Sequence, residues 1–400
     1  MDKGRRALLR ATAIAPLLPG MTNAFLAPFA HAQTVAREMV PVLGPRPFID
    51  YFTATPIVSP LRSDAWGAAE VGSRDVGNGL EDASMAQWNY WDGQILKGQD
   101  GRYRMYASRW DQALGHSEWG KSQAVLAASD TLWGPYRDKG LMWPDDRGGL
   151  GHNVIALRMA DGRFAVVVSE TRNGDIFVSE TADGPWRNIG SIEVDQSAFK
   201  SVKTPGDLQA TSELKPWKAS NVSLILRPDG AYQIIQRSGQ MLLSNSGILG
   251  PYKVTGDSIY RGLVGVPQRD MRAYEDPVLW YSGGWYHVIV NHWRERRAYH
   301  MISRNGLTGW RVQGLAYEPG ANFIRYSNGQ VNHWNKLERP AVVMEDGHVI
   351  ALTFAVIDTP KESQMGNNGH GSKIIVVPFD GAAMDRDLAN ADRPKAERAT

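Results

Sequence analysis

The sequence predicts an all-β protein, a five-bladed β-propeller, and three observations support this fold class. A unit made of an apolar strand, a turn glycine and a second apolar strand occurs five times, at intervals of 54 to 68 residues. Units of three or four short antiparallel strands have the size of propeller blades, and five is within the usual blade number. No amphipathic helical pattern of about 10–15 residues separates the strands, which argues against an α/β fold.

Each unit begins with a polar residue nine positions before its turn glycine. The five pairs are Asp92 and Gly101, Asn153 and Gly162, Asn221 and Gly230, Glu275 and Gly284, and Glu338 and Gly347. An Asp or a Gly precedes every turn glycine, as is typical of tight hairpins. A β-sandwich would also contain hairpins, but it would not need the same polar position at the head of each. Because the first strand of every blade lines the central channel, we expect the polar residues to form a ring at one mouth.

The segments outside the repeat predict the domain organisation. Residues 1–32 combine basic residues, the pair Arg5-Arg6, a short apolar stretch and Ala30-His31-Ala32, and they resemble a twin-arginine export signal. We therefore expect a periplasmic or secreted protein, with a propeller at residues 33–381 and a polar C-terminal tail at residues 382–400. A strand from the 40s to 50s should complete the fifth blade. Two insertions, residues 110–121 and 191–218, are candidate walls of a binding site.

Composition excludes several classes of function. Without residues 1–32 the chain has 40 basic and 41 acidic residues and no basic run, which argues against a nucleic-acid partner. No apolar run reaches about 18 residues, so no membrane span is predicted. The absence of cysteine excludes disulfides, thiolate metal sites and cysteine nucleophiles.

Three of the five expected ring residues, Asp92, Glu275 and Glu338, are carboxylates. Crowding and dehydrating carboxylates separates their pKa values, which is how acid and base roles become distinct near neutral pH. A single such residue would more simply cap a strand end or bind channel water. Three in register favour a catalytic constellation.

The segment Trp91-Asp92-Gly93-Gln94-Ile95, followed by Asp100-Gly101-Arg102-Tyr103-Arg104-Met105-Tyr106, resembles the first-blade motif of glycoside hydrolase family 43. Glu275-Asp276-Pro277 and Glu338-Arg339-Pro340 resemble that family's acidic strand openings, and the Gly-Pro-aromatic turns also occur in the related family 117. The resemblance covers about residues 85–380. It implies an oligosaccharide or polysaccharide substrate and a general base at Asp92. Family 43 takes further carboxylates from blades two and three, where this chain has Asn153 and Asn221, so that order of roles cannot be transferred.

We hypothesise an exo-acting, inverting glycoside hydrolase in which Asp92 activates water, Glu275 is the general acid and Glu338 tunes its neighbours. An exchange of roles between Glu275 and Glu338 is the alternative. Such a mechanism needs about 6.5–9.5 Å between acid and base. Family 117 enzymes use a histidine acid, which makes His152 and His333 alternatives for this role. The candidate substrate-binding residues are aromatic, amide and basic side chains near these motifs: Trp91, Asn153, Asn221, Arg109, Trp110, His333, Trp334 and Arg339.

No metal-ligand spacing is present, so no metal site or required cofactor is predicted. The resemblance to family 43 leaves one exception, a structural Ca²⁺ in the central channel held through His370.

Two other functions remain open. A polysaccharide lyase on the same scaffold would use His152 or a tyrosine to abstract the C5 proton of an arginine-held uronate. A non-catalytic sugar-binding propeller would explain the missing carboxylates of blades two and three. A sialidase-type propeller has less support, because residues 303–310 resemble an Asp-box only loosely and no copies recur.

Overall fold

The computed structural model describes residues 44–195, 197 and 219–392. The predicted export signal, most of the second insertion and residues 393–400 of the predicted tail lie outside the described residues.

Five separate antiparallel sheets confirm the predicted five-bladed β-propeller. A small additional sheet precedes them and pairs β1 (Leu61–Arg62) with β2 (Arg74–Asp75). Blade one contains β3 (Trp88–Lys97), β4 (Tyr103–Asp111), β5 (Gln123–Ser129) and β6 (Arg137–Leu141). Blade two contains β7 (Val154–Arg158), β8 (Phe164–Val168), β9 (Asp175–Ser179) and β10 (Arg187–Ser191).

The remaining three blades continue along the chain in the same order. Blade three contains β11 (Ser223–Leu226), β12 (Tyr232–Ile235), β13 (Met241–Ser244) and β14 (Lys253–Val254). Blade four contains β15 (Tyr274–Ser282), β16 (Trp285–His292), β17 (Arg297–Ser303) and β18 (Arg311–Tyr317). Blade five contains β19 (Lys336–Glu345), β20 (His348–Ile357) and β21 (Ser372–Pro378).

Among the described residues, two α-helices lie outside the blades, α1 (Ala68–Val71) and α2 (Gly381–Asp392). Short 3₁₀ helices occupy several connections: Phe48–Tyr51, Gln112–Leu114, His116–Lys121, Arg147–Gly149, Met271–Ala273 and Lys361–Ser363. No described helix is long and apolar enough to cross a membrane.

The hydrophobic core is divided among the faces where neighbouring blades meet. Between blades two and three, Ile155 and Val167 belong to the same buried cluster as Leu224 and Ile234. Every residue of β8 is buried, because a middle strand is covered by a neighbouring blade on each face. Removing these apolar faces from water is the main stabilising contribution, and it holds the innermost strands in place around the channel.

The fourth strand predicted for blade five is reduced to isolated contacts in the described structure. Phe52 forms a single antiparallel bridge with Phe379, and Leu80 forms another with Ile374. These contacts cover the free edge of β21 from two separate N-terminal segments. The N-terminal region thus closes the ring without contributing a regular strand.

Residues 382–392 of the predicted tail form most of helix α2, so a boundary after residue 381 falls within this helix. Met384 and Leu388 are buried in the core cluster of blades four and five. Asp385 is also buried, and its carboxylate accepts a hydrogen bond from the Ser282 hydroxyl at 3.0 Å and contacts Nδ1 of His348 at 2.6 Å. The helix is therefore anchored to both blades.

Candidate active site

Five residues, one from each blade, share a left-handed backbone conformation near the start of the innermost strand. Their φ angles are 69° for Asp92, 58° for Asn153, 44° for Asn221, 52° for Asp276 and 48° for Arg339. The residues that follow them line one central cavity: Gly93, Val154, Val222, Pro277 and Pro340. The ring positions of blades four and five are therefore Asp276 and Arg339. The prediction of Glu275 and Glu338 for those positions is wrong by one residue.

The one-residue error has a physical cause in the hairpin turns. In blades one to three, five residues separate the paired ends of the first two strands, as between Lys97 and Tyr103. In blades four and five only two residues separate them, at positions 283–284 and 346–347. A residue nine positions before the turn glycine therefore lies at a different depth along the first strand in blades four and five than in blades one to three.

Asp92 is almost fully buried in the ring, and its carboxylate has three partners. Oδ2 accepts hydrogen bonds from the Ser108 hydroxyl and from the backbone N–H of Val154, the latter at 3.1 Å. Oδ1 accepts a hydrogen bond from Nε of Arg339 at 3.0 Å. Arg339 also lies 3.3 Å from the Asp276 carboxylate. One arginine therefore links the carboxylates of blades one and four.

Blades two and three contribute neutral amides to the ring, as predicted. Nδ2 of Asn153 donates a hydrogen bond to Oδ1 of Asn221. The backbone N–H of Asn221 donates to Glu170 at 3.0 Å. Because the two amides pair with each other, the charged part of the ring belongs to blades one, four and five.

Glu275 and Glu338 form an acidic cluster with the ring residue Asp276, and this brings two of the predicted catalytic carboxylates together. One oxygen of each side chain lies within 4.8 Å of those of the other two. Burial raises the pKa of Glu275 to about 8, and the negative charges of Glu338 and Asp276 act in the same direction. Burial also raises the pKa of Asp276, although Arg339 opposes that rise. Glu275 is accordingly protonated at neutral pH.

Glu338 has the opposite charge state. Its Oε1 lies 3.2 Å from Nζ of Lys336, and its Oε2 accepts a hydrogen bond from Nζ of Lys361. Burial alone would raise the pKa of Glu338, but the two ammonium groups outweigh burial and lower it to about 2. The acidic cluster therefore contains one carboxylate paired with two lysines beside two carboxyl groups whose pKa values are raised.

His152, a predicted catalytic residue, lies at the same mouth and is 7% exposed. Its Nδ1 lies 2.9 Å from the Ser122 hydroxyl, and the Trp119 ring packs 4.8 Å from the imidazole. Burial lowers the pKa of His152 to about 4. The imidazole is therefore neutral under physiological conditions.

A second histidine, His116, comes from the first insertion and was missed in the sequence. Its ring lies 4.9 Å from Trp91 and 5.3 Å from Trp110, both edge to face. Burial and the charge of Lys361 lower the pKa of His116 well below its usual value. The insertion thus places a neutral histidine beside the acidic cluster.

Trp91 and Trp110 lie next to the site, as predicted, but only 3% and 1% of their surfaces are exposed. Lys361 lies 4.9 Å above the Trp91 ring. The two indoles therefore support His116 and Lys361, and neither has a free face for a sugar. Trp119, by contrast, is 40% exposed and has indole surface free for contact with a sugar.

Three other predicted substrate ligands are placed differently. Arg109 pairs with Asp138 on the outermost strand of blade one and packs 4.1 Å from the Trp88 ring. Trp334 is buried in the core cluster of blades four and five. Arg109 is therefore engaged within blade one by Asp138 and Trp88, and the Trp334 side chain lies inside the core, where it does not reach the mouth. His333 is exposed, and its backbone N–H donates to the Val71 carbonyl at 3.1 Å.

Further residues of the site were not found by the repeat. Asp276 could have been recognised, because it directly follows Glu275 in an acidic pair. Arg237 lies 3.6 Å from Glu275. Lys361 belongs to the connection between β20 and β21, and Lys336 begins β19. Neither lysine has a counterpart in the repeat, so no sequence signal pointed to them.

His370 does not line the central cavity, where a calcium ion was considered. Its Nδ1 lies 2.8 Å from Asp358, and Glu70 has an oxygen close to both. His370 and Asp358 satisfy each other directly. A channel ion would have to be held by other residues.

No protein-family model and no curated protein matches the sequence. Zg3597, a family 117 glycoside hydrolase from Zobellia galactanivorans, aligns with 11% identity over 76% of this chain and 88% of its own, at a TM-score of 0.51. Another solved structure, described as a glycoside hydrolase, aligns with 13% identity over 76% of this chain and 61% of its own, at a TM-score of 0.52. CoXyl43, a family 43 β-xylosidase/α-arabinofuranosidase from a compost metagenome, aligns with 14% identity over 76% of this chain and 94% of its own, at a TM-score of 0.48.

The five-bladed propeller of this chain is thus similar in fold to Zg3597 and to the second of these structures, both described as glycoside hydrolases. The resemblance seen in the sequence is confirmed at the level of the fold. At such low identities the similarity does not extend to substrate or mechanism.

Proposed function

We propose that the protein is a glycoside hydrolase that cleaves a terminal sugar at the channel mouth, with Glu275 as the general acid. The observation that carries this proposal is the contrast between the surroundings of two neighbouring carboxyl groups, those of Glu275 and Glu338. Glu338 contacts two lysine ammonium groups, which lower its pKa to about 2, whereas burial and the two neighbouring carboxylates raise the pKa of Glu275 to about 8. Pairs of carboxyl groups with separated pKa values are the means by which glycosidases combine acid and base chemistry.

Glu275 has the properties required of the acid. Its side chain is 17% exposed, and Asn291 donates a hydrogen bond to its Oε1 at 3.2 Å. A carboxylic acid with a pKa near the working pH can protonate the glycosidic oxygen as the bond breaks and is then readily reprotonated. Glu338 and Asp276 raise the pKa of Glu275 and so keep the proton available.

Asp92 is the proposed general base. Arg339 and Ser108 hold its carboxylate in one orientation on the wall of the central cavity. The cavity has a volume of about 30 Å³, enough for one water molecule. In the proposed reaction, Asp92 takes a proton from water as the oxygen attacks the anomeric carbon, and Glu275 gives its proton to the departing alcohol.

This assignment of roles implies inversion at the anomeric carbon. Glu338 would be the nucleophile in a retaining reaction, and its oxygen lies within 4.8 Å of Glu275. Each oxygen of Glu338 already contacts a lysine ammonium group, just as each oxygen of Asp92 already accepts a hydrogen bond. NMR of the first-formed product distinguishes the inverting from the retaining mechanism. The inverted anomer supports Asp92 as general base, and the retained anomer would identify Glu338 as nucleophile.

Exo action on an oligosaccharide or polysaccharide is the proposed specificity. Trp119, from the first insertion, stands beside the mouth with an exposed indole face that suits stacking on a sugar ring. The insertion builds a wall on one side of the mouth, which favours a terminal sugar over a chain passing through the site.

The test is a series of aryl glycosides with leaving groups of different acidity, chosen after a screen of oligosaccharides with product masses. Glu275→Ala should lose about 10²–10⁴-fold of kcat/KM on poor leaving groups and little on dinitrophenyl glycosides, which need no acid. Asp92→Asn should lose activity on both, because water must still be activated. Glu180→Gln, an exposed carboxylate on blade two, is the control. Equal losses for Glu275→Ala across the series would remove Glu275 from the acid role.

The neutral state of His152 favours one second candidate, a lyase acting on a uronate-containing glycan. A neutral imidazole can accept the C5 proton. Such a reaction gives an unsaturated product that absorbs in the ultraviolet and adds no water. A saturated product carrying one added water rules it out.

A further inference from the structure

Ser122 is completely buried immediately before β5, and its hydroxyl lies between two groups of the neighbouring blade. Its Oγ is 3.0 Å from the carbonyl oxygen of Gly151 and 2.9 Å from Nδ1 of His152. The carbonyl can only accept a hydrogen bond, and the hydroxyl has only one proton. Both contacts are satisfied when Ser122 donates to Gly151 and accepts from an Nδ1–H group of His152.

The backbone around this contact leaves little freedom to rearrange. The N–H of Gly151 donates to the carbonyl oxygen of Ser122 at 2.9 Å, so the two segments are joined on both sides of the hydroxyl. A Cβ atom on Gly151 would lie 2.6 Å from the Cβ of Ala124, which shows how closely the segments approach. Trp119 covers one face of the imidazole. His152 therefore has its ring plane and its hydrogen-bonding edge fixed.

We propose that Ser122 is a positioning residue that holds His152 as the Nδ1–H tautomer, so that Nε2 presents a lone pair at the channel mouth and accepts a hydrogen bond from a sugar hydroxyl. The tautomer follows from the contacts of Ser122 alone. The role toward a sugar hydroxyl rests on the proposed function.

The surroundings of His152 suit a neutral acceptor. The charged groups that act on it are Asp92 and Glu338, which are negative, and Arg339 and Lys361, which are positive. Two charges of each sign act on the imidazole, and burial, the largest influence, favours its uncharged form. A neutral sugar hydroxyl can donate to Nε2 without bringing a further charge into the site. A cationic imidazole, by contrast, would have no acceptor to offer.

The tautomer can be measured without any substrate. Long-range ¹H–¹⁵N NMR of the intact protein labelled with ¹⁵N-histidine should assign His152, by comparison with His152→Gln, as the Nδ1–H tautomer near neutral pH. In Ser122→Ala the His152 signals should move toward a mixture of tautomers. Ser129→Ala, which removes a buried hydroxyl at the other end of β5, should leave them unchanged. A wild-type His152 protonated on Nε2, or on both nitrogens, would overturn the proposal.

Measurements of activity test the proposed hydrogen bond between Nε2 of His152 and a sugar hydroxyl. With a substrate found in the glycoside screen, Ser122→Ala should lower kcat/KM by about tenfold, the value of one hydrogen bond. Ser122→Thr, which keeps the hydroxyl, should restore both the tautomer and most of the activity, and Ser129→Ala should behave as wild type. A Ser122→Ala enzyme with an altered tautomer and full activity would contradict the contact with substrate. If no glycoside is cleaved, the proposed hydrolysis fails while the NMR result still decides the tautomer.

Discussion

Glu275 illustrates how little of a side chain's chemistry is set by its own identity. A glutamate in water titrates near a pKa of about 4.3, whereas burial raises the pKa of this one to about 8. Glu338, one blade away, is more deeply buried, but two lysines reverse the outcome. The sequence identified both glutamates, yet their opposite charge states depend on Lys336 and Lys361, which no repeat position revealed.

The raised pKa of Glu275 makes stability depend on pH. The folded state keeps a proton that the unfolded chain loses above a pH of about 4.3, so the free energy of unfolding decreases as pH rises toward 8. Glu275→Gln has no carboxyl group to titrate at this position, so this decrease in the free energy of unfolding is absent from the variant. We expect the melting temperature of the variant, relative to wild type, to increase between about pH 5 and pH 9. A pH-independent difference in thermal melts would show that Glu275 is not protonated in the folded protein.

Replacing Glu338 should have a large effect on stability. Glu338→Gln leaves the ammonium groups of Lys336 and Lys361 without their counter-charge in a buried site, at a cost of about 3–5 kcal/mol. Glu345→Gln is the matched control, because Glu345 lies at the other end of the same strand and pairs with Lys97 at the surface. We expect Glu345→Gln to lower the free energy of unfolding by less than about 1 kcal/mol. Urea unfolding of the two variants measures the difference, and similar losses would argue against a buried ion pair at Glu338.

At the scale of the strand, hairpins were predictable and their register was not. The pairs Asp-Gly and Gly-Gly located every turn between the first two strands. The lengths of those turns, five residues in three blades and two in the others, depend on how each pair of strands is hydrogen-bonded. Because side chains alternate along a strand, an error of one residue moves a side chain to the other side of the strand. This is why Asp276 and Arg339 were overlooked as members of the ring.

Helix α2 gives a prediction at the same scale. Asp385→Ala removes the acceptor shared by Ser282 and His348, so the buried Ser282 hydroxyl keeps only its longer contact of 3.3 Å with Nε2 of His287. We expect a loss of about 1–3 kcal/mol. Asp392→Ala, which breaks only a surface pair with Arg304 at the end of the same helix, should cost about 1 kcal/mol at most. Equal urea midpoints for the two variants would mean that α2 contributes little to the closure of blades four and five.

At the scale of the molecule, the fold could be predicted because each blade repeats the same physical requirements. A hairpin with apolar strands and a turn glycine cannot bury both faces alone, and five of them close a ring. Closure itself was harder to foresee, since the N-terminal segment contributes single bridges at Phe52 and Leu80 in place of a strand. The site was less predictable than the fold. Connections between strands, which follow no repeat, supply His116 and Lys361.

The ring also explains how one scaffold can exchange its catalytic residues. Each blade presents an equivalent position at the same mouth, so charge can be distributed among blades without changing the fold. Here Asn153 and Asn221 pair with each other, and the acids gather in blades four and five around Arg339. The proposed reaction thus uses Asp92, which Arg339 links to Asp276, and Glu275, which directly precedes Asp276 in the chain.

The pH dependence of kcat/KM on a cleaved glycoside tests this account most directly. If Glu275 is the general acid, kcat/KM of the wild type should fall as pH rises through about 8, because the acid loses its proton. Glu275→Gln should lack that alkaline limb and retain only a small residual rate. A wild-type kcat/KM that stays constant or rises above pH 8, or an alkaline limb unchanged in Glu275→Gln, would contradict the central claim.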